Sequence, residues 1–212
     1  MKQTDNNLDT IAENIREVFS AKDARREQVL PLCREVIRYA STTIRTLHRH
    51  EFEAAAKLVS TARDLLTHAD EAAGDSTGLK HTGFFRDAQK EFAEASLTLA
   101  LVTGAQLPSP DELGVEPAAY LNGLGEAVGE LRRYLLDSIR REDLSRVEEF
   151  LSDMDDIYNI LVTMDYPDAI TGGLRRTTDM VRGILERTRS DLTLIMQQNR
   201  LEAKLRTFEN KI

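Results

Sequence analysis

Apolar residues return at every third or fourth position along almost the whole chain, and nowhere do they alternate in twos over a useful length. The first spacing is that of an amphipathic helix, the second that of a half-buried strand. The chain is therefore expected to fold from helices alone. Val29, Leu32, Cys33, Val36, Ile37, Ala40, Ile44 and Leu47 carry the pattern most clearly. They predict helix over residues 6–49, as one rod or as two in tandem jointed near Pro31. Further helices are expected over 51–73, 84–103, 117–140, 143–164 and 174–208. Glycine- and proline-rich breaks at 74–78, 107–114 and 165–173 separate them. Pro117 suits a first helical turn. Long helices with short connections pack as a bundle, so the expected fold is all-α, one domain over 1–212 with about six or seven helices.

A chain of 212 residues, 41% hydrophobic and 30% charged, can bury one substantial core. Its formal net charge of -8 disfavours polyanion binding by the surface as a whole, but leaves room for a local basic strip. The single cysteine, Cys33, excludes an internal disulfide and any Cys-based zinc site, and fits the apolar stripe of its helix. The first residues contain no apolar signal-peptide core, and no stretch is long and apolar enough to span a bilayer. A cytoplasmic, reducing location is the expectation. There is no Walker A sequence and no GxGxxG. The four histidines (His48, His50, His68, His81) lack metal-ligand spacing and read as surface residues.

The chemistry is carried by acids. Glu91 and Glu94 are three apart on a helical segment, hence neighbours on one face. Glu94 falls in line with Leu97 and Leu101, where a helix normally buries apolar side chains. An ionised glutamate there needs a cation, either a basic side chain or a metal. Asp87 extends the same face by one turn. A second acidic cluster, Asp153, Asp155 and Asp156, flanks the apolar stripe of 143–164. Two helices of a bundle can bring Glu91, Glu94 and one of these aspartates together. Carboxylates without Cys or His select hard cations, Mg²⁺ or Mn²⁺. The plain alternative is a solvated acidic face paired with Arg86 and Lys90.

Two basic groups stand out. Arg34, Arg38, Ser41, Arg45, His48 and Arg49 fall within a narrow helical arc that can follow a phosphate backbone. The alternative is a solvated face paired with Glu27 or Glu35. Arg175 and Arg176 open the last helix, where the helix dipole disfavours cations. They call for an anion, a phosphate or Asp179. Between these groups, Gly123, Gly125 and Gly129 crowd a single helix. Glycine costs helix stability, so three of them signal another helix packed very close, within the chain or at an oligomer contact.

These segments resemble a known family. The run from Cys33 through Arg49 resembles the first long helix of translin and its partner Trax. The segment Tyr120 to Arg133 resembles the family's Tyr-Leu-x-Gly…Gly-Glu-Leu-x-Arg helix. Gln89 to Ala95 looks like the Gln-Glu-Tyr-Val-Glu-Ala motif of Trax. With the last helix, the similarity spans most of residues 30–200. It implies a helical subunit that assembles into a closed, octamer-like homo-oligomer and binds RNA or single-stranded DNA. For the Trax type it implies a Mg²⁺-dependent endoribonuclease that prefers single strands. Glu91 and Glu94 match two of the Trax acids. Placing Phe150-Leu151 against the family's Phe-Leu pair puts Asp156 on the third acidic position, with Asp153 as the fallback. Arg34, Arg38, Arg45, Arg49, Arg175 and Arg176 would then hold nucleic acid. The short, acidic chain implies a prokaryotic, archaeal version that supplies both binding and cutting surfaces itself. A translin-like binder without catalysis and a helical protein scaffold are the rival readings.

Overall fold

The computed structural model describes residues 3–74 and 77–209, and every regular element among them is a helix. Six are long: α1 (Gln3–His48), α2 (Phe52–Ala73), α4 (Gly83–Thr103), α6 (Pro117–Ile139), α7 (Val147–Thr163) and α9 (Leu174–Glu209). Three are single turns in the connections: α3 (Thr77–Lys80), α5 (Pro110–Leu113) and α8 (Asp168–Thr171). The all-α expectation holds. No helix among the described residues is long and apolar enough to cross a membrane.

Pro31 does not divide α1. A proline inside a helix removes one hydrogen bond and crowds the preceding turn. Here Pro31 faces solvent, where water can satisfy the freed carbonyl. On the opposite face Val29, Cys33 and Val36 are fully buried and hold the two halves in line. Burial also pushes the Cys33 thiol up to about 11, as expected of a core cysteine.

The helix expected from 143 begins only at Val147. Asp143 instead accepts bonds from the Ser145 amide and hydroxyl, closing a local turn that competes with helix. Arg146 then reaches across the bundle and donates to the Val102 and Leu101 carbonyls at the end of α4. The Leu101 carbonyl also accepts from the Gly104 amide, so Arg146 adds to the capping of this terminus and ties α7 to the core.

α4 is the central rod. It packs against α1, α2 and α6, while α6 carries α7 and α9 on its other sides. Phe85, Phe92, Leu97, Leu131, Leu135, Met154 and Leu185 are among the fully buried side chains that bind these helices into one core. The two longest helices outgrow it. In α1, residues 13–28 are all exposed, and α9 is largely exposed beyond Leu192.

Candidate metal centre

Gly123 sets the geometry of the site. A Cβ at this position would stand 2.7 Å from the Lys90 carbonyl oxygen, 2.9 Å from the Ala93 Cβ and 2.9 Å from the Glu94 amide nitrogen. Only a residue without a side chain lets α6 touch the backbone of α4 there. Gly125 does the same for α9, since a Cβ would overlap the Thr177 methyl. The close packing expected of the glycine-rich helix is therefore observed, and its partners are α4 and α9.

One turn beyond Gly123, Glu126 lies on the same face of α6 and meets Glu91 and Glu94 of α4. One carboxylate oxygen from each of the three falls within 4.8 Å of the others. This is the one such acidic group among the described residues. Glu91 and Glu94 thus come together as expected, but their third partner in this chain is Glu126. Asp156 is exposed on α7, Asp153 is half-buried there, and neither joins the group. The reason is topological: α7 packs against α6 and α9, with α6 standing between it and the acidic face of α4. The remaining aspartate of that cluster, Asp155, pairs with Arg189 of α9.

The electrostatics are unbalanced. Lys90 donates to Glu126 at 2.7 Å and lies 3.6 Å from Glu91, so it neutralises part of the cluster. Burial works against the Lys90 charge, but Glu126 and Glu91 outweigh it and raise its pKa. Glu94 has no basic ion-pair partner among the described residues. Burial, then repulsion from Glu91, Glu126 and Glu130, pushes its carboxyl up to about 8. Burial also raises Glu91, against the opposing pull of Lys90.

A second layer lies behind. His48 is buried, not at the surface, and its Nε2 meets Glu130 at 2.5 Å. Glu130 is one turn beyond Glu126 on α6, so this contact joins α1 to the site. His50 is likewise packed inward, hydrogen-bonded to the Tyr134 hydroxyl at 3.1 Å.

The basic residues divide. Arg38 is held by Glu35, and Arg49 by Glu51. Arg34 and Arg45 are exposed and have no carboxylate partner among the described residues, although Arg45 donates to Thr42 at 2.9 Å. Burial of His48 narrows the expected strip further. Arg175 and Arg176 are exposed at the start of α9, and Asp179 does not serve them, because it pairs with Arg182. Glu126, Glu130 and Lys90 were not among the site residues read from the sequence. Gly123-x-x-Glu126 was the available signal, a helix contact residue followed one turn later by an acid.

No protein-family model matches the chain. An uncharacterised protein of Methanocaldococcus jannaschii is 31% identical over 193 residues, covering 89% of this chain and 84% of the relative. The crystal structure of AfC3PO is 31% identical with a TM-score of 0.80, covering 90% of this chain and 98% of that one. A complex of AfC3PO with duplex RNA superposes equally well, at 30% identity. The crystal structure of apo-NeC3PO, at 18% identity and a TM-score of 0.75, shares the fold. With its helical architecture, its acidic face on α4 and these likenesses together, the chain belongs to the translin/C3PO family.

Proposed function

We propose that this protein is an RNA-binding, divalent-metal-dependent endoribonuclease whose ion is held by Glu91, Glu94 and Glu126. The observation that carries this reading is the convergence of three carboxylates within 4.8 Å, one of them raised to about 8. The donors fit the ion. All are oxygen, with no Cys or His among them, as Mg²⁺ or Mn²⁺ requires. Burial, then repulsion from its neighbours, lifts Glu94, and a divalent charge would oppose both. Such an ion supplies Lewis-acid activation of water and charge for the phosphodiester under attack.

The chain's own groups define the rest. Glu94 and Glu91 are fixed on the central rod, and Glu126 is positioned by the Gly123 contact. Lys90 stands at the edge, available to a phosphate oxygen when the carboxylates are otherwise neutralised. For backbone phosphates, which position a strand without reading its bases, Arg34 and Arg45 offer guanidinium groups that no carboxylate among the described residues neutralises. RNA is the favoured substrate class because AfC3PO, alike over nearly its whole length, has a structure in complex with duplex RNA. The assembly is a homo-oligomer, supported by apolar stripes on the projecting helices. Leu8, Ile11, Ile15 and Val18 recur at coiled-coil spacing on α1, and Leu201, Leu205 and Phe208 line α9, all of them exposed.

The test is cleavage of a labelled oligoribonucleotide in Mg²⁺, Mn²⁺ or EDTA, alongside calorimetric titration of Mn²⁺. Glu91→Gln and Glu94→Gln are expected to abolish cleavage and weaken Mn²⁺ binding, with RNA still bound in EDTA. The Lys90 contacts favour one rival, a binding protein whose acids carry their own counter-charge. RNA binding with no cleavage under any divalent ion would establish that rival instead.

A further inference from the structure

Beside the carboxylate group lies a cavity of about 790 Å³, walled by α4, α6 and the corner between α8 and α9. Its volume is far more than an ion needs and falls within the range of small-ligand sites. Glu126 belongs to both the cavity and the acidic group, and Lys90, which also lines the cavity, donates to Glu126, so the two are contiguous. Arg86 and Arg176 also line it, from α4 and from the first turns of α9. Both are exposed, and neither guanidinium group has a hydrogen-bond or ion-pair partner among the described residues. Asp87 and Asp168 complete its charged lining, and neither carboxylate has a hydrogen bond or ion-pair contact among the described residues.

The wall is built, not accidental. Asn122 is buried on α6 and its Nδ2 donates to the Thr171 and Ala118 carbonyls, both at 2.8 Å. Its Oδ1 accepts from the Thr177 hydroxyl at 2.7 Å. One side chain thereby fastens both sides of the α8–α9 corner to the helix that carries Glu126. The corner turns at Gly172, whose φ of 64° is the left-handed conformation that glycine adopts freely. A Cβ there would stand 2.8 Å from the Arg86 guanidinium, so glycine also leaves room for that side chain.

We propose that this cavity is a ribonucleotide subsite, which seats the residue next to the cleaved linkage with its phosphate on Arg86 and Arg176. The proposal rests on the RNA-cleaving reading of the neighbouring acids. Guanidinium groups match phosphate oxygens by paired donors. Carboxylates accept from hydroxyls, so Asp87 and Asp168 can take the ribose 2′-OH, the group that separates RNA from DNA. A cavity holding both functions fits a nucleotide better than a bare phosphate or a second metal ion.

The probe is a fluorescein-labelled oligouridylate and its all-deoxy counterpart, with the full-length protein. Binding is measured in EDTA as a function of salt, and cleavage in Mn²⁺. Arg86→Ala and Arg176→Ala should each weaken binding by roughly tenfold. Each should also reduce the slope of log affinity against log salt by about 0.7, one phosphate contact on a single strand. In cleavage the loss should fall on KM, with kcat little changed. Arg140→Ala, a remote exposed position, should change none of these. Asp87→Ala with Asp168→Ala should narrow the preference for the ribo- over the deoxy-oligomer. If the wild type binds and cuts the oligouridylate while both arginine variants match it in affinity and salt slope, the subsite is wrong and the nuclease reading stands. If the aspartate pair leaves the ribose preference intact, the ribose assignment falls. If the wild type itself neither binds nor cuts at low salt, the RNA reading fails and takes the subsite with it.

Discussion

Gly123 of α6 sits so close to α4 that a Cβ on it would stand 2.9 Å from the amide nitrogen of Glu94. That contact sets how near Glu126 can come to Glu91 and Glu94. It is also a local cost, since glycine weakens the helix that contains it. Adding a methyl group should show what the contact contributes. Gly123→Ala is expected to force the helices apart, losing about 1–3 kcal/mol in denaturant unfolding and most Mn²⁺ affinity. Gly129→Ala is the control. Its Cβ would meet only the Ile184 Cδ1 at 3.8 Å, an ordinary contact. It should stabilise the protein by up to about 1 kcal/mol and leave Mn²⁺ binding alone.

Glu126 and Asp156 make opposite predictions as the third acid. Glu126→Gln is expected to remove metal-dependent cleavage, by about a hundredfold or more in kcat, while RNA binding in EDTA persists. Asp156→Asn, on the exposed side of α7, should cleave like the wild type. The reverse pattern in a cleavage assay would move the centre to α7.

The pH dependence follows from Glu94. Its folded pKa of about 8 lies above the ordinary 4.5, so the folded protein holds a proton that the unfolded chain has released. Stability contributed by this group therefore falls as pH rises from about 4.5 to about 8, and is level outside that window. In EDTA, Glu94→Gln should gain stability relative to wild type across this interval. Saturating Mn²⁺ should stabilise the wild type most at the alkaline end, and Mn²⁺ binding below pH 8 should release protons. Thermal unfolding against pH, with and without Mn²⁺, measures all three. Parallel curves for wild type and variant in EDTA would contradict the shift.

The projecting half of α1 should be an assembly element. Ile11 and Ile15 are 44% and 48% exposed, on a helix with no core beneath them. Ile11→Asp with Ile15→Asp is expected to lower the mass measured by light scattering to a smaller species. Helical content should remain close to wild type, because the bundle core lies elsewhere. An unchanged mass would place the interface on another surface.

The helical architecture was legible in the sequence because helix periodicity is a local property, written into residues three and four apart. For the same reason Glu91 and Glu94 could be paired on one face before any fold was known. Even the close approach of α6 was announced by its glycines. What local rules could not supply was the partner. Asp156 and Glu126 are alike in chemistry, and only the order of packing, α4 against α6 with α7 beyond, separates them. His48 shows the same limit, since its burial against Glu130 joins residues far apart in the chain. Side-chain chemistry and helix faces belong to the sequence itself. Which faces meet is decided by the tertiary structure, because close packing admits few arrangements and a missing Cβ on one helix determines where another can lie.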